Sequence, residues 1–552
     1  MGGYKFQNRL HQDTKLAGPQ DASTKRTLEL GWWLVALVAI ATVIVIRVRL
    51  LGTPLERDEG EYAYAGQLLL QGIPPYKLVY SMKFPGTGMA YAVMMAIFGQ
   101  TAIAIHLGLL VINVVTCVLV FLLGRQLFGL TAGRVGSASY AVLSLGIPVL
   151  GLACHATHFV MLFAVAGLLV LTSQLDRKTH IFASGTLFGM ALLMKQPGAL
   201  FVFFGASYLL CNDICRGRNM KETFLRAMVF ITAAILPLGI TCLVLWHAGV
   251  FDRFWFWTID YAREYGGEVT LSRGIGLFVQ NSWRVIGSAW ELWLLAAYGL
   301  IIGLYQRATR TSTGVVAGFL FFSLLAMCVG LFFREHYFIL ILPAVSLLIG
   351  VALSQLREQV TKCSALIQPL PMIIVFAVLM LPVWQERDLF FRLTPTAVVQ
   401  TIYPRNPFVE STKIAEFVRD HTNPDDRIAV FGSEPQIYFY ARRHSATGYV
   451  YTYGMTEDQK YALRMQREMI HEVGLTRPKY VILVVIDLSW SWRQESPKVI
   501  SSWITEYTNR DYSLVGLVNM IGFGRTDYYW EEHVPPSVRE LGSYVLIYER
   551  KS

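Results

Sequence analysis

The chain has 552 residues, 54% of them hydrophobic and 16% charged. That balance excludes an ordinary soluble protein and places the chain among polytopic membrane proteins. Its formal charge of +10 fits basic cytoplasmic loops between membrane spans and argues against a nucleic-acid partner.

In chain order, residues 1–31 read as a polar cytoplasmic tail carrying Lys5, Arg9, Lys15, Lys25 and Arg26. The apolar run from Trp32 to Ile46 has no small-residue cleavage site after it, so it reads as a retained signal anchor. Apolar runs near the ~20 residues that a bilayer requires then recur. They predict eleven spans at about 32–51, 101–123, 135–151, 157–174, 180–194, 198–211, 227–247, 289–305, 314–332, 337–355 and 369–384. The run 85–98 fits a further span or a helix lying on the membrane surface. Basic loops at Arg125–Arg134, Asp176–Lys178, Arg216–Lys221, Arg307–Arg310 and Arg357–Lys362 decide for the surface helix, because only then do all five fall on the cytoplasmic side.

The opposite, outer face then collects Asp58, Glu59, Glu61, Lys83, His155, His158, Lys195, Gln196, Arg334, Glu335, His336 and Tyr337. After about residue 385 the composition turns polar. Apolar runs at 427–432, 479–486 and 543–548 predict buried strands, and 408–420 and 456–472 carry helical periodicity. Residues 386–552 are therefore expected to form a small soluble α/β domain on the outer face. None of the seven cysteines lies beyond Cys363, and no Cys/His spacing matches a structural zinc site.

Chemistry concentrates in the first outer loop, about 52–98. Adjacent acids at Asp58-Glu59 suit a general base or a divalent-cation site. A helical stretch from Glu61 ends at Gly72, Ile73-Pro-Pro-Tyr76 makes a stiff turn, and Lys83-Phe-Pro85 returns the chain to the membrane. Lys195 sits between two apolar runs, beside a helix-breaking Pro197-Gly198, where a lysine must snorkel or pair. Arg334 and Tyr337 offer a forked cation and a neutral hydroxyl, both suited to a phosphate and both common as interfacial anchors. His155 and His158, one helical turn apart, read as pocket lining or as part of a metal site. The aromatic loop Phe251–Tyr265 fits interfacial packing, a sugar platform or a channel for a lipid chain.

This pattern resembles the polyprenyl-phosphate-dependent glycosyltransferases of the GT-C superfamily, in particular the protein O-mannosyltransferase and aminoarabinose-transferase-like set. The residues that carry the resemblance are Asp58-Glu59, Tyr62, Gly72-Ile73-Pro74-Pro75-Tyr76, Lys83-Phe84-Pro85 and Phe98-Gly99, with a weaker continuation at His336-Tyr337 and Leu342-Pro343. One departure is Lys-Phe-Pro-Gly where that family has Lys-Pro-Pro. The resemblance implies a GT-C transmembrane domain over 32–385 and an inverting transfer of sugar from a polyprenyl-phosphate donor to an acceptor hydroxyl. The implied setting is a bacterial inner membrane. It also implies Asp58 as base, Glu59 as an orienting or cation-binding partner, and Lys83, Lys195, Arg334 and Tyr337 as phosphate ligands. Tyr62, His155, His158 and His336 would line the pocket. No cofactor is required by this reading, and a divalent metal stays open. The rival expectations are a flippase of lipid-linked sugars and a non-catalytic membrane scaffold.

Overall fold

The computed structural model describes residues 19–360, 370–522, 524–535 and 542–551. Most of the expected tail, and Cys363, lie outside these residues. The first helix, α1 (Pro19–Arg49), is followed by two short helices, α2 (Arg57–Leu70) and α3 (Gly86–Phe98). A helical bundle follows: α4 (Ala102–Phe128), α5 (Leu130–Leu145), α6 (Ala156–Ser173), α7 (Lys178–Met194), α8 (Ala199–Cys215) and α9 (Met220–His247). After the aromatic loop come α10 (Leu271–Gly287), α11 (Trp290–Tyr305), α12 (Arg310–Met327), α13 (Leu342–Val360) and α14 (Leu370–Gln385).

Among the described residues, seven helices are long and apolar enough to cross a membrane, and α10 with α11, bent by 99°, would make an eighth. Each of the eleven expected spans falls on a helix, but five of those helices are short. These are α5, α11 and α14, with 16 residues each, and α7 and α8, with 17 each. Helix α5 is buried from Thr131 to Leu145, packed among α1, α4 and α13. It has no lipid-facing side and therefore no need of a lipid-like sequence. Helix α3 has 13 residues, too few to span, and lies against α2 and α4.

The loops at the two ends of the bundle sort as their charges suggest. At one end Glu29 joins Arg134 and Arg357, and Asp176 joins Arg216 and Arg218. Behind that cluster Arg226 grips the fully buried Asp213 through its Nε at 2.7 Å. At the other end Arg47, itself buried, donates to the carbonyls of Ser144 and Gly151 at 2.9 Å each. A buried cation is costly unless it is engaged, and here both terminal nitrogens are bonded while Nε has no partner. Arg47 ties the end of α1 to the turn that leads to His155.

The C-terminal region contains α15 (Glu410–Asp420), α16 (Ala462–Thr476) and α17 (Val499–Asp511). Its single sheet has strands β1 (Arg427–Phe431), β2 (His444–Ser445), β3 (Tyr480–Val485), β4 (Tyr512–Gly522), β5 (Arg525–Trp530) and β6 (Ser543–Arg550). The order is β2-β1-β3-β6-β4-β5. Strand β1 runs parallel to β2 and β3, and the other pairs are antiparallel. The expected apolar strands are β1, β3 and β6, the buried centre of this sheet.

This domain is bolted to the first loop. The Leu55 amide donates to the Tyr440 hydroxyl at 2.8 Å, and the Ser445 amide to the Tyr64 hydroxyl at 2.7 Å. A Cβ on Gly60 would lie 2.6 Å from the Gln436 nitrogen, so only glycine allows α2 to approach so closely. The aromatic loop packs inward and not against lipid. Phe254, Trp257 and Tyr261 are buried with Tyr76, Tyr80, Phe84 and Tyr449, although Trp255 stays exposed.

Candidate active site

Helix α2 starts with a capping box. The Glu56 carboxylate accepts from the Glu59 amide at 2.9 Å, and the Glu59 carboxylate from the Glu56 amide at 3.2 Å. Such reciprocal bonds satisfy donors that a helix start leaves open. The other Glu59 oxygen accepts from the Cys154 amide at 2.6 Å and lies 3.1 Å from His106 Nε2. Glu59 thus faces away from solvent and holds the loop in place. At the far end of α2, the Gly72 amide bonds back to Leu69 and the Ile73 amide to Leu68, with Gly72 at φ +76°. This closing turn is the one that favours a glycine.

The Pro-Pro turn then aims Lys83. Tyr76 adopts a left-handed backbone, φ 64°, and its hydroxyl donates to the Lys83 carbonyl at 2.8 Å. The Lys83 ammonium meets Asp58 Oδ1 at 2.9 Å and Glu61 Oε2 at 2.7 Å. It also lies 4.5 Å from the centre of the Tyr62 ring. Burial alone would raise the Asp58 carboxyl, but the Lys83 ammonium beside it holds it well below the usual carboxylate range. Glu56 goes the other way, raised by its burial and by the charges of Asp58 and Glu59.

Two further cations reach the same cleft. Lys195 occupies an extended break after α7 and stands 4.1 Å over the Tyr337 ring. Beside it, Gln196 donates to the Met82 carbonyl at 2.5 Å, which docks this break onto the Lys83 loop. Burial drives the Lys195 ammonium down to about 7. Arg334 donates to the Tyr265 hydroxyl at 3.1 Å and lies over Phe332. Among the described residues neither cation is ion-paired, whereas Lys83 is shared by two carboxylates.

The cleft holds a cavity of about 200 Å³ lined by Asp58, Glu61, Lys83, Lys195, Arg334, His336 and Tyr337. The remaining expected residues lie behind it. Tyr62 lies under Lys83 and packs on Tyr91. His155 stacks on His336 with ring centres 4.1 Å apart, and its Nδ1 is 4.0 Å from Asp58 Oδ2. His158 is buried one turn further on and does not join them.

Asp58, His155 and His336 each offer one ligand atom, all within 4.8 Å of one another. This group differs from the sequence-based pairing of His155 with His158, because helix α6 turns His158 into the bundle. Both ring nitrogens of His155 are buried without a hydrogen-bond partner. Burial also depresses that imidazole to about 4, leaving it neutral near pH 7 and able to act as a ligand. The residues therefore fit a divalent cation.

Sequence reasoning assigned no site residue to the C-terminal domain, yet that domain supplies one wall of the cleft. Tyr451, Tyr453, Gly454 and Glu457 line it with Tyr261 and Tyr265 of the aromatic loop. The Tyr451 hydroxyl donates to Asp58 Oδ1 at 3.1 Å. Arg57, next in sequence to Asp58, donates to the Ser433 carbonyl, the Tyr453 hydroxyl and Asn406, and pairs with Glu434 at 3.1 Å. The tyrosine-rich run Tyr449-Val-Tyr451-Thr-Tyr453 was the available signal.

Comparison with known proteins now bears on this site. The dolichyl-phosphate-mannose-protein mannosyltransferase family matches residues 83–240. No curated protein sequence matches the chain. ArnT from Cupriavidus metallidurans, solved bound to undecaprenyl phosphate, aligns with a TM-score of 0.55 and 13% identity over 93% of this chain and 97% of that one. The Archaeoglobus fulgidus oligosaccharyltransferase aligns in its apo form with a TM-score of 0.52 and 11% identity, covering 91% of this chain and 75% of that one. The same enzyme in complex with Zn and sulfate gives 0.53 and 11%, over 91% of this chain and 74% of that one. The chain thus shares the fold of these two membrane proteins, and over residues 83–240 it resembles the dolichyl-phosphate-mannose-protein mannosyltransferase family.

Proposed function

We propose that this protein is a membrane glycosyltransferase that moves a sugar from a polyprenyl-phosphate donor to an acceptor hydroxyl. The observation that carries this reading is one cleft at the head of an apolar bundle uniting Asp58 with Lys83, Lys195, Arg334 and Tyr337. In the proposed step the acceptor oxygen attacks the anomeric carbon as the bond from that carbon to the phosphate oxygen breaks. The acceptor proton passes to Asp58, and configuration inverts. Asp58 Oδ1 is occupied by Lys83 and Tyr451, which leaves Oδ2 as the basic atom. A donor phosphate that draws Lys83 toward itself also loosens the hold that keeps Asp58 acidic, so donor binding would prime the base.

Lys195 and Arg334 carry no carboxylate of their own among the described residues, so they suit the charge that develops on the leaving phosphate. A narrow apolar slot lined by Leu68, Ile73, Pro74, Val79 and Phe84 shares Glu61, Ser81 and Lys83 with the cleft. It suits the first part of a prenyl chain. The site lies on the membrane face opposite the basic loops, with the C-terminal domain on that same outer face of the inner membrane. A flippase would need polar groups spread through the bundle midplane. Here the groups gather at one end.

The test is transfer in nanodiscs from a set of polyprenyl-phosphate sugars to hydroxyl acceptors. Release of polyprenyl phosphate with sugar on the acceptor is expected, and failure with every donor overturns the reading.

Lys195 makes the donor step pH-dependent. Its amine gains charge as the pH falls through about 7 and loses it above, because burial disfavours the cation. Donor KM is therefore expected to rise between about pH 7 and 9, with proton uptake on binding in that range. Lys195→Arg, charged throughout, is expected to flatten the profile, and an unchanged slope would remove Lys195 from the phosphate site.

The Asp58, His155 and His336 group supports a divalent cation as a second feature. When bound, such an ion would take Asp58 Oδ2 as a ligand and supply positive charge that acidifies the acceptor hydroxyl, so it is an alternative to Asp58 acting as a free base. Metal analysis of the purified protein is expected to find about one zinc or manganese ion per chain, lost in His155→Ala/His336→Ala. Metal content unchanged in that variant would rule the group out.

A further inference from the structure

A second cavity lies in the C-terminal domain, away from the cleft residues. It measures about 250 Å³ and is bounded by the end of β3, the segment Asp487–Trp492, and Ser501, Ile504 and Thr505 of α17. Crevices outside the carboxyl ends of parallel strands are habitual ligand sites in open α/β sheets. Strand β3 ends here after pairing in parallel with β1.

The cavity wall is built in an unusual way. Trp490 and Trp492 stack with ring centres 5.3 Å apart and planes 9° from parallel. Between them Ser491 holds a left-handed backbone, φ 52°, a strained choice for a residue with a Cβ. Trp490 is fixed by its indole N–H, which donates to the Val484 carbonyl at 2.8 Å. Trp492 is half-buried, while Asp487, Ser501 and Thr505 are exposed. Ser501 and Thr505 are one turn apart on α17, so both hydroxyls lie on one helix face.

The chemistry of this lining selects among ligands. An alkyl chain would strip water from a carboxylate and two hydroxyls and return no hydrogen bonds. An anion would meet Asp487 with no Lys or Arg among the described lining residues to offset it. A neutral saccharide satisfies both demands. Its C–H face covers an indole, and its hydroxyls donate to the carboxylate and exchange bonds with Ser501 and Thr505.

The two cavities have no lining residue in common, but hydrogen bonds tie the segment that carries Trp490 to the one that carries Tyr453. The Leu488 carbonyl accepts from the Tyr453 hydroxyl at 2.6 Å, and the Trp490 carbonyl from Thr456 at 2.5 Å. Tyr453 and its neighbour Glu457 face the cleft, and Tyr453 accepts from Arg57 at 2.7 Å. We propose that the Trp490–Trp492 cavity is a saccharide-binding site that holds a sugar unit of the acceptor while another part reaches Asp58. Saccharide binding there stands on the geometry of the cavity; naming the ligand as acceptor rests on the sugar-transfer reading.

The test uses full-length protein in nanodiscs, without donor, titrated by tryptophan fluorescence and calorimetry with cello-, malto- and chito-oligosaccharides. Saturable binding of at least one of these is expected. Trp492→Ala should weaken it about tenfold, the scale of one lost aromatic contact, while Trp492→Phe keeps most of it. Asp487→Asn should weaken it as well. Asp58→Asn should leave binding intact while transfer is lost. Absence of binding to the whole set overturns the proposal, as does equal binding by a Trp492→Ala protein whose thermal unfolding is unchanged. If the wild type transfers sugar from no donor, the sugar-transfer reading falls and the saccharide site stands; if Asp58→Asn still transfers sugar, only the assignment of the base falls.

Discussion

Replacing Asp58 by asparagine is expected to slow sugar transfer by ~10²–10⁴-fold, the span typical of a positioned base, with donor binding little changed. Asparagine keeps the size of the side chain and can still accept from Tyr451, so the fold of α2 has no reason to change. It cannot take the acceptor proton. Two companion variants separate chemistry from scaffolding. Tyr451→Phe removes the second hydrogen bond to Asp58 Oδ1 and is expected to lower kcat about tenfold, with KM for the donor unchanged, as befits a positioning residue. Glu59→Gln leaves the cleft lining intact but disturbs the capping box, so it should lower the melting temperature more than it lowers kcat. Equal rates for wild type and Asp58→Asn would sink the assignment of the base.

Arg57→Met should be the most damaging change to the fold near this site. Its guanidinium contacts four groups in the C-terminal domain, one of them Glu434, whose side chain is 0% exposed. Removing one partner of a buried pair strands the other, at a cost of about 3–5 kcal/mol. Methionine fills much of the volume, so the loss should come from the stranded carboxylate and not from a cavity. The expected result is a clear drop in thermal stability, measured by tryptophan fluorescence in detergent. The double variant Arg57→Met/Glu434→Gln should recover part of it. Transfer should fall as well, since Asp58 is the next residue. A melting temperature equal to wild type would show that the domains are held by other contacts.

These two neighbours show what the sequence could and could not express. Asp58 and Glu59 are adjacent acids, indistinguishable in composition. Consecutive positions on a helix point about 100° apart, so α2 sends one carboxylate into the cleft and the other to the Cys154 amide. The same phase places Glu61 beside Asp58, three residues on, where both reach Lys83. That spacing was readable, and its meaning depended on knowing where Lys83 returns. The first loop stood out because charge beside apolar spans is costly and must serve a purpose. The C-terminal strands β1, β3 and β6 stood out because a buried sheet centre demands unbroken apolar runs. Strands β4 and β5 did not. They lie toward the sheet edge, with Gly516 and Asn519 in one and Arg525, Thr526 and Asp527 in the other. The eleven-span expectation rested on the length of apolar runs, which does not tell a lipid-facing helix from an enclosed one. Helix α5 shows that a run of modest length can be enclosed by its neighbours. The tyrosine run around Tyr451 was visible, but its partner was not, because Asp58 lies 393 residues away in sequence.

The buried Arg47 has a consequence for how the molecule is made. Its two carbonyl acceptors lie 97 and 104 residues further along the chain. During synthesis α1 therefore enters the membrane carrying a cation whose partners have not yet been translated. Until α5 and the turn after it arrive, that end of the helix is held near the headgroups, where the charge can still reach water. The contact that fixes this end of the first helix can therefore form only after the fifth helix and the turn beyond it have been made.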